Sequence, residues 1–220
     1  MRKNVKKLIK GFAEKFEIQE PIIEIGSFLV EGQEELADLR PLFKGKKYIG
    51  CDMRPGPGVD RIEDVEKLKF DDNSVGSVIM ADTLEHVKNP FNAIKEINRV
   101  LKPGGFLIMS SVMNFPIHDY PSDYWRFTPE AFRFLTNSFE FSFIDFDGSD
   151  NHPHTIIAIA VKEREGRSII INPENIKSIK WKTEETNIKQ KIKLFIPPIA
   201  LSFFVDLKRL ILLEKNKGTF

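Results

Sequence analysis

An apolar run, Ile22, Ile23 and Ile25, interrupted by Glu24 and closed by Gly26, constrains this chain more than any other feature. A second short apolar run over residues 48–51 ends in Asp52, 26 residues after the glycine. Strand, tight glycine turn, helix and second strand ending in a carboxylate is the order in which an α/β unit builds a nucleotide crevice. The carboxylate stands where a ribose needs an acceptor. The pattern predicts an adenosine-containing ligand.

The rest of the chain continues the alternation. Val5, Leu8, Ile9, Phe12 and Phe16 recur three or four apart, predicting an amphipathic helix over residues 4–16 capped by Asn4. A buried strand is expected over 21–25, a helix over 33–43, strands over 48–51, 59–62 and 75–80, and a helix over 90–101. Lys102–Gly105 should stop that helix before a strand over 106–110. After a long loop, a helix over 129–135 and strands over 140–146 and 155–161 close the pattern. The last two are near enough to pair antiparallel. This predicts a doubly wound α/β fold: seven strands, mostly parallel, with helices on both faces and the last strand antiparallel.

Charge divides the chain unevenly. The net charge is +1, but residues 1–20 carry +3, residues 21–165 carry −8 and residues 166–220 carry +6. Acidic core and basic ends predict a domain over 21–163, a helix over 1–20 before it and a basic, partly apolar extension over 164–220. The single cysteine, Cys51, excludes an internal disulfide framework and fits a cytoplasmic location. No secretory leader is expected, since no apolar core follows the basic start. No stretch approaches the roughly 20 apolar residues that cross a bilayer. Nothing points to nucleic acid.

In an open parallel sheet, ligands bind beyond the carboxyl ends of the strands. Gly26, Asp52, Asp64 and Ala81 all follow such ends, so they should converge on one crevice. Gly26 lets the backbone approach a ligand. Asp52 can accept two ribose hydroxyls. Asp64 can accept from an exocyclic amine, or simply cap a turn.

Five segments in order then resemble a known family. They are Glu24–Ser27, Asp52, residues 64–75, Asp82–Val87 and Val100–Gly105. Together, from residue 21 to about 162, they resemble the class I S-adenosylmethionine-dependent methyltransferases, in a type 11-like branch. The resemblance implies S-adenosylmethionine as cofactor. It implies that Glu24, Gly26 and Ser27 line its methionine half, that Asp52 holds the ribose and that Met53 flanks the adenine. Asp64 and Val65 would hold the adenine edge. Ala81 and Asp82 would lie beneath the sulfonium, with His86 nearby. One departure stands out: Phe28 and Val30 occupy places where the family usually has glycine. The G-x-G-x-x-G turn of a nicotinamide dehydrogenase is absent.

The loop over residues 114–130 concentrates donors, acceptors and rings. His118, Tyr124 and Arg126 are its candidate catalytic groups, with His118 as a base if the acceptor is a hydroxyl or protonated amine. Its Tyr124–Thr128 stretch resembles a branch of these methyltransferases often encoded with glycan-assembly enzymes. The acceptor is expected to be a small molecule or glycan-like. The rival expectation is a non-catalytic interaction subunit of the same fold. No metal site is expected: Asp150, His152 and His154 cluster in sequence, but Pro153 intervenes. The apolar stretch over 194–205 and the basic residues around it predict either a homodimer contact or a peripheral membrane contact.

Overall fold

The computed structural model describes residues 1–118, 122–164 and 171–183. The apolar stretch over 194–205 and most of the predicted C-terminal extension lie outside the described residues. The strands are β1 (Ile22–Ile25), β2 (Tyr48–Asp52), β3 (Arg61–Ile62), β4 (Val75–Ala81), β5 (Leu101–Val112), β6 (Phe141–Ser149) and β7 (His152–Val161). They form one sheet in the order β3-β2-β1-β4-β5-β7-β6. β1 to β5 run parallel to their neighbours, and β7 pairs antiparallel with both β5 and β6. The predicted architecture is the observed one.

Both faces of the sheet are buried, and side-chain alternation divides them. Ile23, Ile25, Val78, Met80, Leu107 and Met109 face one core, closed by α3 (Pro90–Val100) and α4 (Pro129–Leu135) through Ile94, Ile97, Phe132 and Leu135. Ile22, Ile79, Phe106, Ile108, Ile157 and Ile159 face the other, covered by α1 (Lys3–Lys15) through Val5, Leu8, Ile9 and Phe12. Ile176 of α5 (Pro173–Lys177) joins this second core. Runs buried on both sides are what parallel strands require.

Several boundaries depart from the sequence expectation, each for a local reason. The helix expected over 33–43 is only α2 (Glu34–Ala37), followed by a 3-10 turn at Arg40–Phe43. Asp38 ends it by accepting the Arg40 N–H at 3.0 Å, and Pro41 has no N–H to continue the ladder. β5 starts at Leu101 rather than after Gly105, because Leu101 pairs with Val75 before a register shift at Gly76. A Cβ on Gly76 would lie 2.4 Å from the Gln19 carbonyl, so only glycine allows that approach. Asn4 is not the cap of α1. Arg2 holds the cap position, and the Asn4 amide reaches Asp147 at 2.7 Å.

α1 is integral to the second core. Phe12 is 0% exposed, stacks on Phe16 at 4.4 Å between ring centroids and meets Phe106 edge-on at 5.1 Å. Phe12→Ala should lower unfolding free energy by about 3–5 kcal/mol, while Lys10→Ala should change it by less than about 0.5 kcal/mol. Urea denaturation of the two variants beside wild type checks this.

Candidate active site

The register of the sheet assembles the crevice. Ile25 pairs with Cys51 and with Met80, and Ala81 pairs with Ser110. Gly26, Asp52, Ala81 and Ser110 therefore stand in one row at the carboxyl ends of four adjacent strands. Sequence order scattered them and strand register collects them.

Gly26 has φ +82°, a conformation that favours glycine. A Cβ there would lie 2.2 Å from Thr83 Oγ1. The Gly26 and Ser27 N–H groups both donate to the Cys51 carbonyl, at 2.8 and 3.1 Å, closing the first turn onto β2. Asp52 has an 11% exposed side chain. Its carboxylate accepts from Arg54 N at 3.0 Å and from Phe28 N at 3.4 Å. Met53, beside it, is 61% exposed.

Phe28 does not present a bare obstacle. Its ring packs on Gly56, where a Cβ would lie 2.3 Å from the ring edge, and the Arg54 guanidinium sits over it at 4.4 Å. The ring in the first turn is thus accommodated by a glycine in the loop after β2. Val30 is at the surface.

Glu24 is 6% exposed and accepts the Tyr48 hydroxyl at 2.6 Å. Burial pushes its carboxyl up to about 7, with the phenol hydrogen bond and Arg40 acting in the opposite direction. Ser27 is also buried, and its Oγ has no hydrogen-bond partner.

Other predicted residues have local duties. Asp64 is exposed and turns its carboxylate onto the Glu66 N–H at 2.9 Å, the capping alternative. Val65 is in the first core. Asp82 has φ +49° and is held by Arg2, whose guanidinium donates at 2.7 and 3.2 Å and whose main-chain N–H donates at 3.1 Å. Ser110 Oγ donates to the same carboxylate at 2.7 Å. Burial alone would raise the Asp82 carboxyl, but Arg2 overcomes it and holds the group below the usual carboxylate range. Asp82 thus reaches the crevice already paired.

The 114–130 loop folds back onto the exit of β4. The Glu85 carbonyl accepts from Tyr124 N at 2.8 Å and Trp125 N at 3.3 Å, and Trp125 Nε1 donates to the Val87 carbonyl at 2.9 Å. Arg126 forks onto Asp123, with one arm at 2.6 Å, and donates to the Phe115 and Pro116 carbonyls at 3.2 and 3.0 Å. Those Arg126 bonds, ahead of opposing burial, hold the Asp123 carboxyl well below its ordinary range. Arg126 therefore organises the loop. His118 lies against His86, ring centroids 4.8 Å apart at 83°, while Tyr124 is half exposed. Arg2, Thr83, Glu85 and Asp123 were not singled out from sequence. The partners of Arg2 and Glu85 are far along the chain, whereas Asp123 pairs locally with Arg126, three residues on, a pairing the sequence allowed.

The comparisons agree with this geometry. Residues 36–109 match the family described as "Methyltransferase domain". The Escherichia coli protein YafE, itself uncharacterized, is 43% identical over 68 residues, covering 31% of this chain and 32% of that protein. An uncharacterized Schizosaccharomyces pombe methyltransferase, C1B3.06c, is 28% identical over 102 residues, covering 46% and 34%. The chain spans about a third of the length of these curated relatives. Among solved structures, an Archaeoglobus fulgidus S-adenosylmethionine-dependent methyltransferase superposes with TM-score 0.55 at 15% identity, covering 71% of this chain and 94% of that one. YcgJ from Bacillus subtilis gives 0.52 at 14%, covering 74% and 100%. The fold is the Rossmann-like sheet of the class I methyltransferases. In its fold and over residues 36–109 the chain is similar to methyltransferases of that class.

The residues present fit the cofactor that this class uses. A glycine turn lets backbone approach a ligand, and a little-exposed carboxylate ends the neighbouring strand beside the exposed Met53. Ser27 Oγ is buried without a partner, and Glu24 is a buried carboxyl bonded to a neutral phenol. This donor and acceptor set suits a ligand that bears hydroxyls, a base and positive charge.

The Glu24 environment generates a pH test. In the unfolded chain Glu24 ionises near 4.5, but in the folded protein only near 7. Its contribution to stability is therefore best below pH 4.5 and is lost as pH rises towards 7. Wild type should lose about 3 kcal/mol relative to Glu24→Gln between pH 4.5 and 8. Urea unfolding of both proteins across that range checks it, and parallel curves would refute the assignment.

Proposed function

We propose that this protein transfers a methyl group from S-adenosylmethionine to a small-molecule or glycan-like acceptor. The observation that carries the reading is the meeting of the Gly26 turn and the Asp52 carboxylate at adjacent strand ends, bridged by the Phe28 N–H. The bound cofactor supplies an electrophilic methyl on a sulfonium, an excellent leaving group. Little remains for the protein but to bind, orient and exclude water.

In this reading Asp52 accepts the ribose hydroxyls and Met53 covers the adenine. Glu24 and Ser27 serve the methionine half, where a ligand ammonium would stabilise the buried Glu24 charge. Gly26 and the backbone of Ala81 and Asp82 form the floor, with the Asp82 side chain fixed by Arg2 and Ser110. The loop pinned on Glu85 brings His118 and Tyr124 to the acceptor side, and Arg126 holds that loop in place. The lone, buried Cys51 thiol supports a reducing, cytoplasmic compartment. No helix among the described residues is long and apolar enough to cross a membrane.

Asp52→Ala removes a charged acceptor and should weaken S-adenosylmethionine binding by about 10- to 150-fold, a loss of roughly 1.5–3 kcal/mol. Calorimetric titration of the cofactor into wild type and variant decides it. Micromolar binding weakened in the variant supports the reading. Absence of binding to wild type favours the non-catalytic interaction subunit instead. Once sugars and small metabolites have been screened for an acceptor, Tyr124→Phe should lower turnover and leave cofactor affinity within about twofold. Equal loss of both would move Tyr124 to the cofactor side.

A further inference from the structure

Three residues at the exit of β4 come together in an arrangement that departure of a methyl group from a sulfonium does not itself require. Glu85 and His86 stand on the 3-10 turn Leu84–His86, and His118 comes from the long loop after β5. One ligand atom from each lies within 4.8 Å of the other two. Among the described residues, no other His, Cys, Asp and Glu side chains make such a group of three or more. Asp150, His152 and His154, adjacent in sequence, do not.

The hydrogen bonds around these residues leave ligand atoms free. His86 Nδ1 lies 2.7 Å from the Ser122 carbonyl, which can only accept, so Nδ1 carries a proton and, in the neutral ring, Nε2 has the lone pair. His118 Nδ1 lies 3.2 Å from the Pro116 carbonyl and 3.1 Å from Asp123 Oδ2, both acceptors. In the neutral ring its Nε2 is then the nitrogen with the free lone pair. Asp123 is itself fixed by Arg126, so a carboxylate backs the imidazole as it commonly does behind a metal-bound histidine. Glu85 is 1% exposed. Its Oε2 accepts from Ser111 Oγ at 2.7 Å, but Oε1 is buried with no partner at all. Burial first, and the Asp82 charge second, raise its carboxyl. A buried carboxylate oxygen without a donor is costly. A cation would relieve that cost.

We propose that Glu85, His86 and His118 form a site for a divalent transition-metal ion, of which zinc is the representative. Two imidazole nitrogens and one carboxylate oxygen are the ligand set of open, three-residue zinc sites. Magnesium and calcium, which prefer all-oxygen shells, are poor matches. Ligand atoms around zinc stand roughly 3–3.5 Å apart, given bonds of about 2.0–2.1 Å. The widest separation must therefore close by roughly 1.3–1.8 Å when the ion binds. Three protein ligands leave a coordination position for water or an oxygen of a bound molecule, at the same end of the sheet as the crevice.

Calorimetric titration of zinc into chelator-stripped, tag-free full-length protein tests this, with no cofactor or acceptor present. It stands or falls apart from the methyl-transfer reading. One equivalent should bind with micromolar affinity or better. His118→Ala and Glu85→Gln should each weaken binding at least about 10-fold, and Asp123→Asn about 10-fold through His118. His152→Ala should bind as wild type does. His118 is on a surface loop, so its removal leaves both cores intact, and a thermal melt of the metal-free variant verifies that. Cobalt in place of zinc should give the visible spectrum of a low-coordinate nitrogen–oxygen site, lost in His118→Ala. No binding at roughly 100 µM zinc, or equal binding by wild type and His118→Ala, overturns the proposal.

Discussion

The way β4 leaves the sheet governs the crevice end of this molecule. Within five residues the chain makes three long-range commitments. Asp82 takes Arg2 and Ser110, Thr83 fills the space over Gly26, and the Glu85 carbonyl takes two N–H groups from the loop after β5. Each joins a different part of the sequence to the same strand end. The positive φ of Asp82 turns the chain sharply enough to make all three at once. Polar groups that would otherwise be buried unpaired are satisfied across the exit. Crevice floor, the loop after β5 and the start of α1 are thus tied together by hydrogen bonds at one strand end.

Much of this was legible in the sequence. The two apolar runs and Gly26 fixed β1, the turn and β2, because strands buried on both faces must be apolar throughout and only glycine fits the turn. The position of Asp52 at the carboxyl end of β2 followed from the same reasoning. Element ends were less legible where a side chain competes with the backbone. Asp38 captures a main-chain N–H and cuts α2 short, while Gly76 lets β5 begin early by admitting another segment of backbone.

The side-chain partnerships at the exit of β4 were not legible, because they arise between residues 26 to 80 apart. Nothing near Arg2 announces Asp82, and nothing near Glu85 announces Ser111 or the Tyr124 and Trp125 N–H groups. Asp64 carries the converse lesson. Its spacing suits an adenine contact, and the sequence did not show that one of its carboxylate oxygens also holds the Glu66 N–H. Arg126, prominent in a loop rich in functional groups, is occupied by Asp123 and two carbonyls.

Phe28 and Gly56 are one structural unit written at two places in the sequence. The ring occupies the volume a side chain at 56 would need, and the guanidinium of Arg54 covers its other face. Relatives carrying glycine at the first of these places are freed from needing it at the second. Those with an aromatic ring at the first are not. The two positions should therefore covary across the family, and a pattern that scores the first turn alone will undervalue chains of this kind. Bulk at position 28 is met by its absence at position 56, and the two walls of the loop fit each other only as a pair.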